Sequence, residues 1–337
     1  MQLKRFNAGK AMARTTIREV SDRAGVSVGT VSNVLNAPHL VADPTKARVL
    51  SVISELDYRP HRAARSLQAR RSYLIGYRLP GAGKSPALDV FLHALVGAAS
   101  GYGLEIALFS PRGDESELDS YRRLISGGDV DGLVLSDTNY RDPRIGLLTD
   151  SGFPFVSFGR ALDSQSFSWV DVDGAAGMKL VVDHLVAAGH RQITLAAWPE
   201  GSESGDERVR GFGRGKDREV IRVLGGFENG RQLGRELFRR DTPPTAVAAV
   251  EDSLALGMMA AATELGLKVG SEIAVAGFDD SIAAGLVTPG LTSVRQPMDQ
   301  VARWMIDALV SMLAGSPVPQ SQLLMPDLVV RESTGTA

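Results

Sequence analysis

Residues 16–36 read TIREVSDRAGVSVGTVSNVLN, and this stretch decides how the amino-terminal end is organised. Thr16 followed by Glu19 has capping-box spacing, in which hydroxyl and carboxylate each accept a backbone N–H at a helix start. Ile17, Val20 and Ala24 then recur on one helical stripe. Gly25 suits the left-handed conformation that ends a helix. Ser27 is placed to cap a second helix that turns Val31, Val34 and Leu35 inward. Two short helices around a glycine turn predict a helix-turn-helix, whose second helix fits the major groove of DNA. The outward residues of that helix are Val28, Gly29, Thr30, Ser32 and Asn33. They are small or amide-bearing, so phosphates and base edges can approach closely. A plain helical hairpin that binds nothing is the other reading of the same pattern.

A third helix is expected from Asp43-Pro44, read as an N-cap followed by proline at the first helical position. It would turn Val49, Ile53 and Leu56 inward and close a three-helix core. Beyond it, residues 58–67 read YRPHRAARSL. Pro60 can open a short helix there, but one so short is marginal alone in water and forms only against a partner and a surface.

Charge divides the chain in the same place. The 337 residues carry a formal net charge of −2. Residues 1–72 hold thirteen Lys/Arg against five Asp/Glu, a balance of +8, and the remainder holds twenty-four against thirty-four, a balance of −10. Asymmetry of this size points to a polyanion-binding module joined to something else, and it weighs against the inert hairpin. Zero cysteines exclude a disulfide framework, a thiolate metal site and a cysteine nucleophile. No apolar run approaches the ~18 residues that span a bilayer, and the basic start Met1–Arg5 is not followed by the apolar core of a signal peptide. A cytoplasmic protein with no membrane partner is expected.

From Tyr73 onward, short apolar runs alternate with helix-length amphipathic stretches. YLIGYRL, LEIALFS, DGLVLSD and FPFVSF form one series of buried strands. RQITLAAW, EVIRVLG, TAVAAV and EIAVAGF form a second. Helices are expected between them, for example from Ala176 to Ala188 and from Leu254 to Leu265. Strand–helix alternation implies doubly wound α/β layers, and two series imply two subdomains with a cleft between them.

At this point the chain resembles the lactose-repressor/galactose-repressor family. The stretch from Thr16 to Leu67 is similar to that family's DNA-binding headpiece and hinge. The larger segment is similar to its effector-binding core, with VDGAAG (172–177), HLVAAGHRQI, VEDSLALGMM, VAGFDD and LTSVRQP in family order across roughly residues 13–333. The resemblance implies an all-α helix-turn-helix headpiece joined to an α/β periplasmic-binding-protein-like core of two doubly wound parallel-sheet subdomains. Its divisions fall at 1–12 (a disordered extension, with Met12 as an alternative start), 13–59 (helix-turn-helix domain) and 60–72 (hinge helix and linker). The effector and dimerisation core then spans 73–333. Its N-subdomain takes about 73–172 plus 295–325, and its C-subdomain about 173–294 plus 326–333.

The same resemblance assigns DNA contact to Thr16, Ser27, Tyr58, His61 and Ala64 beside the outward face of the second helix, and makes Leu67 an apolar wedge in the minor groove. Arg14, Arg18, Arg62 and Arg65 are available for phosphates. For the effector it implies Arg208 and Asp279 as hydroxyl-binding groups, Phe227 as a stacking aromatic, and Arg160 and Glu251 at the cleft. A sugar needs such polar groups and an aromatic face. Arg208 also reads as a surface-helix residue, Asp279 as a helix cap and Phe227 as simple core. The chain departs from the family at several points. His61 stands where Asn is usual, and Asn33 where Arg or His is common. Glu251 replaces an Asn, exchanging an amide for an acceptor-only carboxylate. Only six residues separate Phe212 from the apparent strand at Glu219, where the family has the rest of a helix and a loop; two glycines among them disfavour a helix.

Two decoys fail. GAGKS (81–85) lacks the earlier glycine of a phosphate-binding loop, since Arg78 stands there. His184 and His190 are six apart with no third ligand nearby. No G-x-S-x-G elbow and no other catalytic set is present, so no enzyme, metal or cofactor is expected. The expected partners are double-stranded DNA with a pseudo-palindromic operator, a small-molecule effector, and a second copy in a homodimer, with a tetramer as the larger form. The effector is expected to be a sugar, in a repressor of carbohydrate-utilisation genes; a nucleobase sensor is the alternative, as is a solute-binding protein with no DNA role. Dimerisation is expected to use the N-subdomain and helix Met298–Leu313, through Val301, Met305, Ala308, Leu309 and Met312. Effector binding would make or melt the helix around Pro60–Gln68.

Overall fold

The structure, a computed structural model, describes residues 15–58, 71–79, 87–161 and 167–335. It divides between Arg71 and Ser72 into two compact units.

The first unit holds three helices, α1 (Ile17–Ala24), α2 (Val28–Asn36) and α3 (Asp43–Glu55). The capping box is present. Glu19 N–H donates to Thr16 Oγ1 at 3.3 Å, and Thr16 N–H donates to Glu19 Oε2 at 2.7 Å. Gly25 ends α1 at φ 62°, and Ser27 caps α2 by accepting the Thr30 N–H at 3.1 Å. Val20, Ala24, Val31, Val34, Val49 and Val52 close the core. Ala42, not Asp43, is the N-cap of α3. Pro44 lacks an N–H that no helical carbonyl would need in the first turn, so it is tolerated one position deeper, with Asp43 favourably placed at the helix's positive end. The His61, Ala64, Leu67, Arg14, Arg62 and Arg65 expectations lie outside the described residues, as does GAGKS.

The second unit runs β1 (Leu74–Arg78), α4 (Ala87–Ser100), β2 (Glu105–Phe109), α5 (Glu117–Gly127), β3 (Gly132–Leu135), α6 (Pro143–Asp150), β4 (Phe155–Phe158) and β5 (Trp169–Val172). The chain then crosses into α7 (Gly174–Ala187), β6 (Ile193–Ala197), α8 (Glu203–Phe212), β7 (Arg218–Arg222), α9 (Phe227–Leu237), β8 (Ala246–Ala249), α10 (Asp252–Glu264), β9 (Ala274–Asp279), α11 (Ile282–Leu286) and β10 (Thr292–Arg295). It returns through α12 (Met298–Ala314) and β11 (Gln322–Leu324), and crosses once more to β12 (Asp327–Val329). Two six-stranded sheets result, ordered β11-β5-β4-β3-β1-β2 and β12-β10-β9-β8-β6-β7. Every pairing is parallel except β10 with β12, an antiparallel edge.

Three features position the cleft. First, α8 stops at Phe212, where Gly213 adopts φ 71°, and five residues lead into β7. Arg208 therefore lies four residues before the end of α8, ahead of the abbreviated connection. Second, α9 and α10 meet backbone to backbone at Gly230 and Gly257, where a Cβ would overlap Leu254 and Phe227 carbonyls. Third, α12 packs on α4 and on β4 and β5. Val301, Met305, Ala308 and Leu309 are fully buried in that lobe's own core, with Met312 half-buried against it. These side chains are consumed within the chain and are not the dimer contact expected of them; an apolar helical stripe serves either purpose.

Candidate functional site

The headpiece presents α2 outward. Val28, Gly29 and Asn33 are exposed, and Thr30 and Ser32 are half-buried. Ser27 is exposed but engaged, sharing a hydrogen bond with Thr30 Oγ1 at 2.9 Å. Thr16 is likewise exposed and tied to Glu19. Tyr58 departs from its expected place at the DNA surface: it is 6 % exposed, within the three-helix core. Burial raises its phenol pKa.

In the second unit a cavity of about 730 Å³ opens where strands end. Its lining follows the carboxyl ends of both sheets. Arg78 comes from β1, Ser136 and Asp137 follow β3, Val172 ends β5, Trp198 follows β6, Glu251 follows β8, Asp279 ends β9 and Gln296 follows β10. Parallel α/β layers bind ligands there because helix N-termini and free strand-end groups converge. The size suits a small organic ligand.

Arg208 and Asp279 both line this cavity, which excludes the surface-helix and plain-cap readings. Arg208 is buried, donates to the Val250 carbonyl, and stands 3.9 Å from Asp279 Oδ1. Its guanidinium lies over Phe278 and Trp198, with ring centroids at 3.7 and 5.0 Å. Burial pushes the Arg208 pKa down, opposed by Asp279. Burial pushes Asp279 well above the usual carboxylate range, opposed by Arg208. Gln296 Nε2 donates to Asp279 Oδ1 at 2.6 Å. Asp279 is therefore held in place by Gln296 with a cation beside it, suited to hold a hydroxyl.

The other three expectations are redistributed. Arg160 stands just behind the lining, paired with Asp171 at 3.1 Å and with Glu207. Glu251 lines the cavity, but its oxygens accept from Trp198 Nε1, the Gly226 N–H and Ser253 Oγ. Phe227 opens α9, is 47 % exposed and does not line the cavity. The aromatic walls are instead Trp198, Tyr77, Phe91 and Phe158. A tight Gly225-Gly226 turn explains the exchange, because it carries the chain away before Phe227 can enter.

Trp198, Gln296, Asp171 and the Arg144–Asp142 pair were not anticipated. Trp198 and Gln296 each directly follow a strand, and that position alone could have marked them. Among the described residues, no group of three His, Asp or Glu side chains could hold a metal ion, and no helix is long and apolar enough to cross a membrane.

Comparison with known proteins bears on both units. Residues 16–61 match the model of bacterial regulatory proteins, lacI family, and residues 182–334 that of a periplasmic binding protein-like domain. The regulator CelR of Thermobifida fusca is 32 % identical, covering 95 % of this chain and 98 % of that protein. The repressor PurR of Edwardsiella ictaluri (strain 93-146) is 30 % identical over 94 % of this chain and 96 % of its own. Among solved structures, a lac repressor dimer bound to operator and an anti-inducer matches with a TM-score of 0.82 and 27 % identity, covering 96 % of this chain and all of that one. A CelR–cellobiose complex matches with a TM-score of 0.70 and 29 % identity over 95 % and 100 %. The chain belongs to the lacI family of bacterial regulatory proteins and is a DNA-binding transcriptional regulator.

Proposed function

We propose that this regulator is a homodimeric repressor of carbohydrate-utilisation genes whose operator affinity is set by a neutral sugar in the second unit's cavity. One observation carries the ligand class. Each of the three arginines that line the cavity among the described residues already faces a cavity carboxylate. Arg78 meets Glu117 at 2.6 Å, Arg144 meets Asp142 at 2.6 Å, and Arg208 meets Asp279 at 3.9 Å. Among the described residues no unmatched cation lines the cavity for a phosphate, whereas paired polar groups beside aromatic walls suit hydroxyls and C–H faces. The cellobiose held by one relative agrees with this class. Dimerisation is supported by the lac repressor dimer, and α2 would read one half-site per copy.

A thermal-shift series with cellobiose, maltose, glucose 6-phosphate, adenine and guanine tests the reading. A ligand at ~100 times its Kd adds ~2.7 kcal/mol of stability. A neutral sugar should raise Tm and change retardation of a pseudo-palindromic DNA fragment. A shift with the purines alone, or with the phosphorylated sugar alone, overturns the assignment.

A further inference from the structure

We propose that Trp198 is the stacking platform of the cavity, and that Glu251 is a positioning residue that holds it there rather than a ligand contact. This rests on the neutral-sugar reading above. Trp198 directly follows β6, lines the cavity and is only half-buried. Its indole N–H donates to Glu251 Oε2 at 3.1 Å. Glu251 Oε1 accepts from the Gly226 N–H at 2.5 Å and from Ser253 Oγ at 2.6 Å. One carboxylate, 3 % exposed, thus ties the ring to the turn before α9 and to the start of α10.

Two neighbours make this arrangement specific. A Cβ on Gly225 would stand 2.9 Å from Glu251 Oε1 and 3.1 Å from Trp198 Nε1, so the clamp closes only over a glycine. Arg208 lies over the same indole, which joins an aromatic surface to guanidinium N–H donors. A pyranose laid against that ring would place a hydroxyl beside Arg208 and Asp279.

Acceptor-only chemistry is what the clamp requires. All three partners of Glu251 are donors, and a glutamine would turn its NH₂ toward at least one of them. Glu251→Gln therefore keeps the shape and breaks the clamp. In the full-length protein, calorimetric titration with cellobiose and maltose should show Trp198→Ala raising Kd at least tenfold. Trp198→Phe, which keeps an aromatic face but lacks the indole N–H that Glu251 holds, should cost about tenfold. Glu251→Gln alone should cost about tenfold, yet add less than threefold in a Trp198→Phe background, because a positioning residue has no effect without what it positions. Wild-type affinity in Trp198→Ala overturns the platform. An undiminished Glu251→Gln loss in the Trp198→Phe background overturns the positioning role.

The free protein supplies a ligand-independent arm. Labelled with 5-fluorotryptophan, the chain has three tryptophan signals, and the one missing from Trp198→Phe identifies the platform. Glu251→Gln should move that signal and leave the other two. If it stays in place, the clamp is refuted. If it moves while no sugar binds the wild type, the clamp stands and the sugar reading falls.

Discussion

Arg160, just beyond β4, and Glu207, in α8, form an ion pair between the two lobes of the second unit, with both side chains largely buried. Arg160 Nε is held in turn by Asp171 on β5 at 3.1 Å. Nearby, Tyr140 donates its hydroxyl to Asp206 at 3.0 Å and its N–H to the Gly201 carbonyl at 3.2 Å. Asp206, Glu207 and Arg208 are consecutive. Two of them grip the first lobe and the third enters the cavity, so α8 couples ligand contact to lobe position. Glu207→Gln with Tyr140→Phe should loosen this latch. At ~0.5–1.5 kcal/mol for a hydrogen bond and more for a charged one, ligand affinity should fall about tenfold. The small-angle scattering radius of the ligand-free protein should rise while that of the liganded protein holds. Equal radii would show that the pair does not control closure.

Asp279 occupies φ 116°, a conformation L residues rarely adopt, with its carboxylate beside buried Arg208. Removing the carboxylate leaves that guanidinium without its partner. Breaking a buried pair costs ~3–5 kcal/mol, and the 3.9 Å separation places this one at the lower end. Asp279→Ala retains the backbone strain, whereas Asp279→Gly releases it. The glycine variant should therefore be more stable to urea than the alanine variant, by about 1 kcal/mol, and unfold at a higher midpoint. Both should lose effector response. Equal midpoints would mean that the backbone there is unstrained.

Asp252, fully buried at the start of α10, accepts from the Ser281 N–H at 2.7 Å and Ser293 Oγ at 2.5 Å. Burial pushes its pKa from 3.8 up to about 6, against the pull of those hydrogen bonds. Between these values the folded chain holds a proton that the unfolded chain has released. Folding stability from this group is therefore greatest below about pH 4, declines as pH rises through the window, and is level above about 6. Asp252→Asn cannot titrate. The stability difference between wild type and Asp252→Asn, measured by urea unfolding at a series of pH values, should fall between pH 4 and 6 and then flatten. A difference independent of pH would place the Asp252 pKa outside this window.

The headpiece was legible because its signals are local. Thr16, Glu19, Gly25 and Ser27 act within one turn of where they stand. The register at Asp43 slipped, since proline fits two adjacent positions in a first turn. Apolar runs revealed eight strands of the core, but β11 and β12 have three residues each and owe their existence to the crossing chain. Arg208, inside α8, and Asp279, at the end of β9, were readable from the family motifs that contain them. Phe227 was misjudged because it opens α9 beyond the Gly225-Gly226 turn, with its ring exposed and outside the cavity lining, whereas Glu251 does line the cavity and accepts the Gly226 N–H. Tyr58 and the stripe on α12 show the same limit, because a side chain's own sequence does not say which surface will cover it.

Gly29 separates folding from recognition in the headpiece. It lies in the first turn of α2 on the exposed face, and a Cβ there would meet only Ser27 Oγ, at an ordinary 3.6 Å. Gly29→Ala therefore fits without strain, and the better helix former should stabilise the headpiece by about 0.5 kcal/mol. If α2 lies in the major groove with its first turn against the DNA, the same methyl group stands between backbone and phosphate. Operator affinity should then fall at least tenfold while the headpiece's resistance to urea rises. The residual binding should keep its steep dependence on salt, because the basic residues are untouched. Unchanged operator affinity would take the amino-terminal turn of α2 off the DNA.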